Sequence, residues 1–435
     1  MPKQIRKPFI LPTSFPDFLT RPIRLTPADR PHFFGYYDRC PWAPRAERLL
    51  VLGAPRETPV HAPRVDEAVS IGILDSNSWT SLRCVAESVA WNYQQGCMQH
   101  WLSDTEFIYN DRRNGQFVAL IRDIEGRELT CLPRPIYAVA PDGHTALTLN
   151  FSRLARTRPG YGYAGVPDAT AHALCPEDDG IWRIDLVSGA VDLVISVGTI
   201  ARFEPQRGMH GAEHWCNHPT YSPQGGRFVF LHRWRTPRKS GLAGTLAQQP
   251  RTGWGKRARK TLGRLYRGMT GRRFTGHQSR MLVANADGTG LRCVLGEGMV
   301  SHFSWRDENH LLVWCHRRPA GDRYWLLNVE TGHAEIAGDG ILARDGHCTY
   351  SPDGKWILTD TYPDADGYQT LILFDPRNER RMDVGRYQAQ PDLTGEIRCD
   401  LHPRFDRTGS RVCFDSAHEG ARQMYCLDVS EITQC

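Results

Sequence analysis

Residues 347–362 read HCTYSPDGKWILTDTY, and the fold can be predicted from this stretch and its copies along the chain. A short apolar run leads into the turn Ser-Pro-Asp-Gly, and a second run follows in which apolar and polar residues alternate. Proline restricts φ to the value that the turn needs, and the side chain of aspartate or serine forms a hydrogen bond with the nearby backbone. Glycine accepts a positive φ, so the four residues favour a chain reversal. Two further stretches share the pattern, HPTYSPQGGRFVFLHRW at 218–234 and HPRFDRTGSRVCFDSAH at 402–418. The pattern predicts a repeated β-hairpin.

Weaker copies of the hairpin fill much of the remaining chain, at 36–55, 98–115, 137–153 and 302–318. Most units are followed by a third alternating run and another turn, so each can supply three or four strands. Seven such units predict an all-β, seven-bladed β-propeller, which hides most strand edges by radial closure. We expect one domain over 1–435, with the repeats at about 33–431.

The closure of the ring also follows from the strand count. The last repeat ends at about Val429 with only three strands. A propeller closes when one blade takes strands from both ends of the chain. We therefore expect the segment 22–25, Pro-Ile-Arg-Leu, to supply the fourth strand of the last blade.

Two long insertions interrupt the repeats, at 154–179 and 235–280, and insertions of this length are usually functional loops or disordered. Residues 251–280 hold ten Lys and Arg and no acidic residue. This segment can be read as a solvated loop, as a lid over an anionic ligand, or as a basic amphipathic helix that touches an anionic membrane surface. We expect no nucleic-acid partner, because the basic charge lies in one insertion rather than on a structured face.

The composition excludes several classes of protein. The chain has 435 residues, of which 40% are hydrophobic and 23% charged, so collagen-like and disordered classes are excluded. No apolar run is long enough for a transmembrane helix, and the N-terminal segment does not have the pattern of a secretory signal. The 13 cysteines include no CxxC pair. An odd number of scattered cysteines is typical of reduced thiols, so we expect a cytoplasmic protein.

Propeller topology predicts which side chains meet at one face of the disc. The start of each innermost strand and the end of the strand that follows it lie at the same face. Histidine stands at four such starts, namely His218, His302, His347 and His402. Residues near the ends of the following strands include Arg112, His232, Arg233 and His316. Converging imidazoles indicate a metal ion or general-base chemistry, and arginines indicate an anionic substrate.

Several readings of these residues remain open. A histidine at a strand start is often a structural hydrogen-bonding residue, and Arg233 or Arg398 could form ion pairs between blades. Tyr161 and Tyr163, in the glycine-rich segment GYGYAG, could stack on a sugar or simply pack in a loop. The chain has no GxSxG, P-loop or GxGxxG motif, so we expect neither a serine nucleophile elbow nor a nucleotide cofactor.

Three segments carry a resemblance to a known family, namely VWCHRRPAGDRYWLLN at 313–328, GHCTYSPDGKWI at 346–357 and EIRCDLHPRF at 396–405. The repeats resemble TolB-like propellers and, more narrowly, the oligogalacturonate lyases and related propeller polysaccharide lyases. In that family a divalent metal, usually manganese, is held by histidines and a glutamine. A separate histidine is the base, and an arginine faces the carboxylate of the substrate.

The resemblance implies roles for particular residues. His347 and His402 match metal ligands, and Asp400 stands where the family has a second histidine. His316 matches the base, and Arg398 matches the partner of the substrate carboxylate. His302 is a further candidate ligand. The metal implied is manganese, with zinc or iron as alternatives, because histidine and carboxylate ligands suit all three.

A second branch, the ulvan lyases, is similar in blade number and uses His, Tyr and Arg. On that pattern His218, Tyr221 and Arg233 would carry the chemistry. We expect Arg112, His232 and Tyr163 to contact the substrate. The hypothesis is a lyase that cleaves an acidic, uronate-containing oligosaccharide or polysaccharide by β-elimination. The alternatives are a non-catalytic TolB-like platform that binds a polysaccharide or protein, and a hydrolase on the same scaffold.

Overall fold

A computed structural model of the chain describes residues 21–55, 61–75, 81–236, 277–296 and 298–434. Their strands form seven antiparallel sheets of four strands each, so the seven-bladed propeller is confirmed. The first three blades contain β2 His32–Phe33, β3 Arg48–Gly53, β4 Val69–Asp75 and β5 Leu82–Ser88; β6 His100–Trp101, β7 Glu106–Arg113, β8 Gln116–Asp123 and β9 Glu128–Leu132; and β10 Ala138–Val139, β11 Thr145–Thr148, β12 Gly180–Asp185 and β13 Val191–Ser196.

Blades four to seven follow the same order. They contain β14 Glu213–Tyr221, β15 Arg227–Arg235, β16 Gln278–Asn285 and β17 Arg292–Leu295; β18 Val300–Trp305, β19 His310–Arg317, β20 Gly321–Asn328 and β21 Ala334–Ile336; β22 Thr349–Tyr350, β23 Ile357–Asp360, β24 Tyr368–Asp375 and β25 Arg380–Gln388; and β26 Arg404–Phe405, β27 Arg411–Ser416 and β28 Gln423–Asp428 with β1 Ile23–Arg24. The helices are α1 Phe151–Thr157, α2 Val197–Arg202 and α3 Ser430–Thr433, with a 3-10 turn at Gly395–Ile397. Among these described helices, none combines the length and the apolar character needed to span a bilayer.

The hairpin turns have the geometry that their sequence predicts. In the sixth blade the backbone N–H of Gly354 donates to the carbonyl of Ser351 at 2.8 Å, and Gly354 has a φ of 71°. A side chain other than glycine is strained at that angle. The turn therefore fixes where β22 ends and β23 begins.

The core lies between neighbouring blades. In β15 the adjacent residues Phe228 and Val229 point to opposite faces of the sheet and are fully buried in two different hydrophobic clusters. Phe228 packs with residues of the third blade such as Ile181, and Val229 packs with residues of the fifth blade such as Val313. Because successive side chains of a strand point to opposite faces, one strand contributes to the cores on both sides of its blade.

The ring closes where the sequence predicts. Ile23 and Arg24 of β1 pair with Cys426 and Tyr425 of β28. A buried ion pair joins the last blade to the first, because Arg404 contacts Asp415 at 3.3 Å and also donates to the carbonyl of Gly35 at 2.6 Å. Both side chains of the pair are nearly inaccessible to solvent.

The first blade differs from its sequence pattern. The repeat at 36–55 suggests that the innermost strand starts at Tyr36, whereas the strand is His32–Phe33. The carboxylate of Asp415 accepts hydrogen bonds from the backbone N–H groups of Phe34, at 3.3 Å, and Gly35, at 3.4 Å. These bonds replace those of the sheet, so Tyr36 and the residue after it leave the blade.

The insertion at 154–179 completes α1 and continues as a loop that packs against the blade. Asn150 caps the helix by accepting a hydrogen bond from the backbone N–H of Arg153 at 2.9 Å. Most of the second insertion, including the predicted basic amphipathic helix, lies at 237–276, outside the described residues.

Candidate functional site

A cavity of about 410 Å³ lies at the face where the four histidines were expected. Its wall includes His218 from β14, His302 from β18 and Arg233 from near the end of β15. His218 is the sixth residue of β14 rather than its first, because the strand begins at Glu213. The remaining titratable residues of the wall are Tyr36, Arg158, Tyr161, His277, Asp345, Tyr362 and Arg398. The wall thus holds three guanidinium groups, those of Arg158, Arg233 and Arg398, against one carboxylate, and this excess of positive charge favours an anionic ligand.

The four predicted histidines do converge. The ring centroids of His302 and His347 are 4.2 Å apart, and those of His347 and His402 are 4.3 Å apart. His218 joins the group through Tyr36, on which it stacks at 5.2 Å. Tyr36 in turn lies 5.0 Å from the ring of His402.

Backbone irregularities aim two of these rings. His218 and His402 have positive φ values of 52° and 43°, which are uncommon for residues other than glycine. At His218 the register between β14 and β15 shifts, as in a β-bulge. Bulges re-aim side chains near functional sites, and here the irregularity accompanies an imidazole that lines the cavity.

Three residues next to the cavity fit a divalent cation. One ligand atom from each of His347, Asp400 and His402 lies within 4.8 Å of the others. The Nε2 atoms of His347 and His402 are buried and have no hydrogen-bond partner in the described part of the chain. The Nδ1 of His347 contacts the carboxylate of Asp360 at 2.9 Å. Such a carboxylate commonly orients a histidine that binds metal through its other nitrogen.

Arg398 and His302 lie next to this cluster, and their contacts affect which atoms could bind a cation. Arg398 donates from Nε to Asp400 at 2.6 Å, so the carboxylate is shared between a guanidinium and the candidate metal position. His302, a predicted ligand, is not part of this three-residue cluster in the described ranges. Its Nδ1 instead contacts the carboxylate of Asp345 at 2.9 Å, and that carboxylate also accepts from Ser301 at 2.7 Å.

The cluster leads to a prediction about metal content. The double substitution His347→Ala/His402→Ala removes both free Nε2 atoms. We expect the purified wild-type protein to retain manganese, zinc or iron near one ion per chain and the double variant to lose it. The measurement is inductively coupled plasma mass spectrometry on tag-free protein. His310→Ala, a substitution at the far end of β19, is the control, and equal metal in all three proteins would refute the site.

Arg233 is a buried cation without a counter-charge in the described structure. It is 5% exposed, and its Nε and Nη1 atoms have no hydrogen-bond partner there. Burial, with repulsion from Arg158, lowers the pKa of Arg233 to about 10, so the group stays charged at neutral pH. A desolvated charge of this kind is costly unless a ligand pairs with it.

Other predicted residues lie away from the cavity wall. Tyr221 lines a separate cavity of about 240 Å³ near the hairpin turns, at the opposite face of the disc. His316 contacts Asp322 through Nδ1 at 2.7 Å and is not part of the described wall. Arg112 forms an ion pair with Asp66 at 2.6 Å. The structure therefore does not bring these three side chains together with His218 and Arg233.

His232 and Tyr163 are enclosed in the protein. His232 contacts His214 at 2.9 Å and accepts from Arg280 at 3.0 Å, so both ring nitrogens are engaged. Burial lowers the pKa of His232 well below its usual value. Tyr163 stacks on Phe151 with ring centroids 4.3 Å apart. Neither side chain lines the cavity in the described structure. Both of them make packing and hydrogen-bond contacts inside the protein instead.

Three residues of the wall were not predicted from the sequence. Arg158 comes from the first insertion, His277 from the end of the second, and Asp345 from the loop before β22. Asp345 stands two residues before His347, but nothing in the repeat marks it as the partner of His302. Tyr161, one of the two tyrosines for which the sequence left sugar stacking open, also lines the wall.

Tyr36 and Tyr37 lie between the cavity of about 410 Å³ and the cavity of about 240 Å³ at the opposite face. Tyr36 lines the first cavity and Tyr37 lines the second, and the two cavities share no lining residue in the described structure. The hydroxyl of Tyr37 donates to the carbonyl of Phe303 at 3.0 Å. Its ring lies against His347 and His302, at 5.3 and 5.7 Å.

No family model and no curated protein matches this chain. Several solved structures, in contrast, are similar to this chain. An oligogalacturonate lyase from Vibrio parahaemolyticus is 15% identical, with a TM-score of 0.60 over 93% of each chain. The chain shares its fold with that lyase. An oligogalacturonate lyase in complex with manganese is 17% identical, with a TM-score of 0.60 over 93% of this chain and 92% of that one. TolB from Acinetobacter baumannii is 12% identical, with a TM-score of 0.38 over 88% of this chain and 80% of that one.

Proposed function

We propose that this protein is a lyase that cleaves a uronate-containing oligosaccharide or polysaccharide by β-elimination. The observation that carries the proposal is one cavity whose wall holds a buried arginine without a counter-charge and a histidine paired with a carboxylate, beside a cluster that fits a divalent cation. The names of the two similar structures, oligogalacturonate lyases, support an acidic glycan as substrate.

Arg233 is the group best suited to bind the uronate carboxylate. A guanidinium offers two parallel N–H donors to a carboxylate, and this one has free donors in the described structure. Arg398, the residue implied by the family resemblance, already donates to Asp400 and contacts Tyr161. Neutralising the carboxylate makes the proton on the adjacent carbon more acidic, which is the first requirement of the elimination.

His302 is the group best suited to take that proton. The carboxylate of Asp345 accepts a hydrogen bond from Nδ1 of His302, so the lone pair of the neutral ring is on Nε2. His302 lines the same cavity as Arg233. This assigns the base to a residue that the sequence offered as a further candidate ligand, whereas the sequence favoured His316 or His218 as the base.

His347, His402 and Asp400 would hold the metal. A divalent cation bound there would supply positive charge that stabilises the anion formed when the proton leaves. His347 is in contact with His302, so the cluster adjoins the base. Tyr36 packs between the cavity and His402 and keeps the buried cluster from open solvent.

The direct test is turnover of oligogalacturonate and of a panel of other uronate oligosaccharides. β-Elimination creates a carbon–carbon double bond conjugated with the carboxylate, so the product absorbs in the ultraviolet. We expect absorbance to increase on at least one substrate. New reducing ends without that absorbance would indicate a hydrolase. Saturable binding without turnover, with metal present, would indicate the non-catalytic binding platform and contradict the proposal.

Arg233→Met tests the carboxylate partner. We expect KM to increase at least about tenfold, which corresponds to a loss of ~1.4 kcal/mol in binding. The denaturation midpoint should increase, because an apolar side chain of similar volume replaces a desolvated cation. Arg227→Met, at the other end of β15 and in an exposed pair with Glu330, is the control and should leave KM unchanged. An Arg233→Met protein with unchanged KM would exclude this role.

A further inference from the structure

Tyr161 is held in the cavity wall by a loop that is not part of the propeller repeat. The loop follows α1, and its Gly162 packs on that helix. A Cβ on Gly162 would lie 2.0 Å from the backbone nitrogen of Ala155 and 2.3 Å from the carbonyl oxygen of Phe151. Only glycine allows this approach. The loop therefore presents Tyr161 from a fixed position, and the residue is 3% exposed although it lines the cavity.

The hydroxyl of Tyr161 lies among cationic groups. Nη2 of Arg398 donates to it at 3.2 Å, and the guanidinium carbon of Arg158 is 4.8 Å from the ring centroid. In the bond with Arg398 the tyrosine oxygen is the acceptor, so its own proton is not used there. The ring also contacts that of His218, with centroids 5.4 Å apart.

We propose that Tyr161 is the general acid that protonates the departing glycosidic oxygen. This inference rests on the proposed function and adds the group that the elimination still lacks. A phenol in the cavity wall shared with Arg233 and His302 can reach a sugar whose carboxylate is bound by Arg233. Tyrosine is one of the side chains that transfer protons in enzymes.

The step balances in atoms and charge. The bond between hydrogen and the carbon next to the carboxylate breaks, and His302 Nε2 takes the proton. The electron pair becomes the new carbon–carbon double bond, and the bond from the neighbouring carbon to the glycosidic oxygen breaks. That oxygen takes the proton of Tyr161. Solvent then takes the proton from His302 and returns one to Tyr161. Nothing is oxidised or reduced.

The surroundings of Tyr161 make it an unusually acidic phenol. Burial alone would raise its pKa, but the charges of Arg398 and Arg158 and the hydrogen bond from Arg398 outweigh burial and lower the pKa to about 8. The charged and titratable groups around it are Arg158, Arg233, Arg398, Asp400, Tyr36, Tyr362 and His218. An acid must be protonated to act, so kcat/KM should decrease as the pH increases through about 8.

The test compares wild type with Tyr161→Phe on oligogalacturonate, or on whichever uronate substrate of the panel is cleaved. We expect kcat/KM at pH 7 to decrease by roughly 10²-fold or more and the alkaline decrease to disappear. Tyr109→Phe is the control, since Tyr109 bonds Arg122 in the core away from the cavity. It should retain both the rate and the pH profile.

A spectroscopic titration gives a readout that does not depend on turnover. Ionised tyrosine absorbs at longer wavelength than the phenol, and one tyrosine should titrate near pH 8 in wild type and in Tyr109→Phe but not in Tyr161→Phe. Burial raises the pKa of Tyr109 itself to about 12, outside this range.

The outcomes separate the two proposals. A cleaving wild type together with a Tyr161→Phe protein that keeps the rate, or that loses rate but keeps the alkaline decrease, overturns the acid role alone. A wild type that cleaves no uronate substrate overturns the β-elimination, and the acid role with it.

Discussion

His302→Asn is expected to lower kcat by roughly 10²–10⁴-fold, the usual contribution of a general base. Asparagine can still donate to Asp345 from its amide, so the buried carboxylate keeps a partner and the local fold is preserved. What it lacks is the basic nitrogen that corresponds to Nε2. We expect KM and the denaturation midpoint to stay near those of wild type, so that the loss is confined to the chemical step.

Metal content distinguishes the two roles considered for His302. If His302 is the base, His302→Asn should retain as much metal as wild type; if it is a ligand, the metal should be lost with activity. His310→Asn is the matched control, because His310 also pairs with a carboxylate through Nδ1, that of Asp307 at 2.8 Å, but at the other end of β19. A His302→Asn protein with wild-type kcat would exclude the base.

Asp415→Asn is expected to reduce the free energy of unfolding by about 3–5 kcal/mol, the range found when one partner of a buried ion pair is removed. Asp415 binds Arg404 and the backbone N–H groups of Phe34 and Gly35, and so joins the last blade to the first. Asparagine leaves the Arg404 guanidinium, 1% exposed, without a counter-charge. The loss should appear as a lower denaturant midpoint with an unchanged slope.

Asp192→Asn makes the same chemical change at the surface. Asp192 is 67% exposed on its side chain and pairs with Arg183 at 3.4 Å. Exposed pairs contribute ~1 kcal/mol or less, so the control should unfold near wild type. Equal effects of the two substitutions would contradict the importance of the link between the first and last blades.

The blades could be predicted because their information is local. The turn Ser-Pro-Asp-Gly and the alternating runs specify a hairpin within about 16 residues, as at 347–362, and the missing fourth strand of the last unit specified β1. The exception was the first blade, where the strand ends before Tyr36 because the backbone N–H groups of Phe34 and Gly35 donate to the distant carboxylate of Asp415. A contact across more than 300 residues leaves no mark in the local pattern.

The site was predictable only where it follows the repeat. The positions of His302 and His347 come from the shared blade geometry. Which carboxylate each Nδ1 meets, Asp345 or Asp360, depends on how loops pack. The sequence does not distinguish Tyr161 from Tyr163, because the two stand two residues apart in one loop. The packing of Gly162 on α1 is what orients Tyr161 toward the cavity.

The aromatic layer of Tyr36 and Tyr37 also bears on how a polymer would be processed. Because each tyrosine faces a different cavity, a glycan cannot be threaded along the axis of the disc. A glycan that reaches His302 would then approach it from the face of the disc where the first cavity lies. If the protein is the proposed lyase, cleavage within a long glycan would therefore leave both product ends at that face.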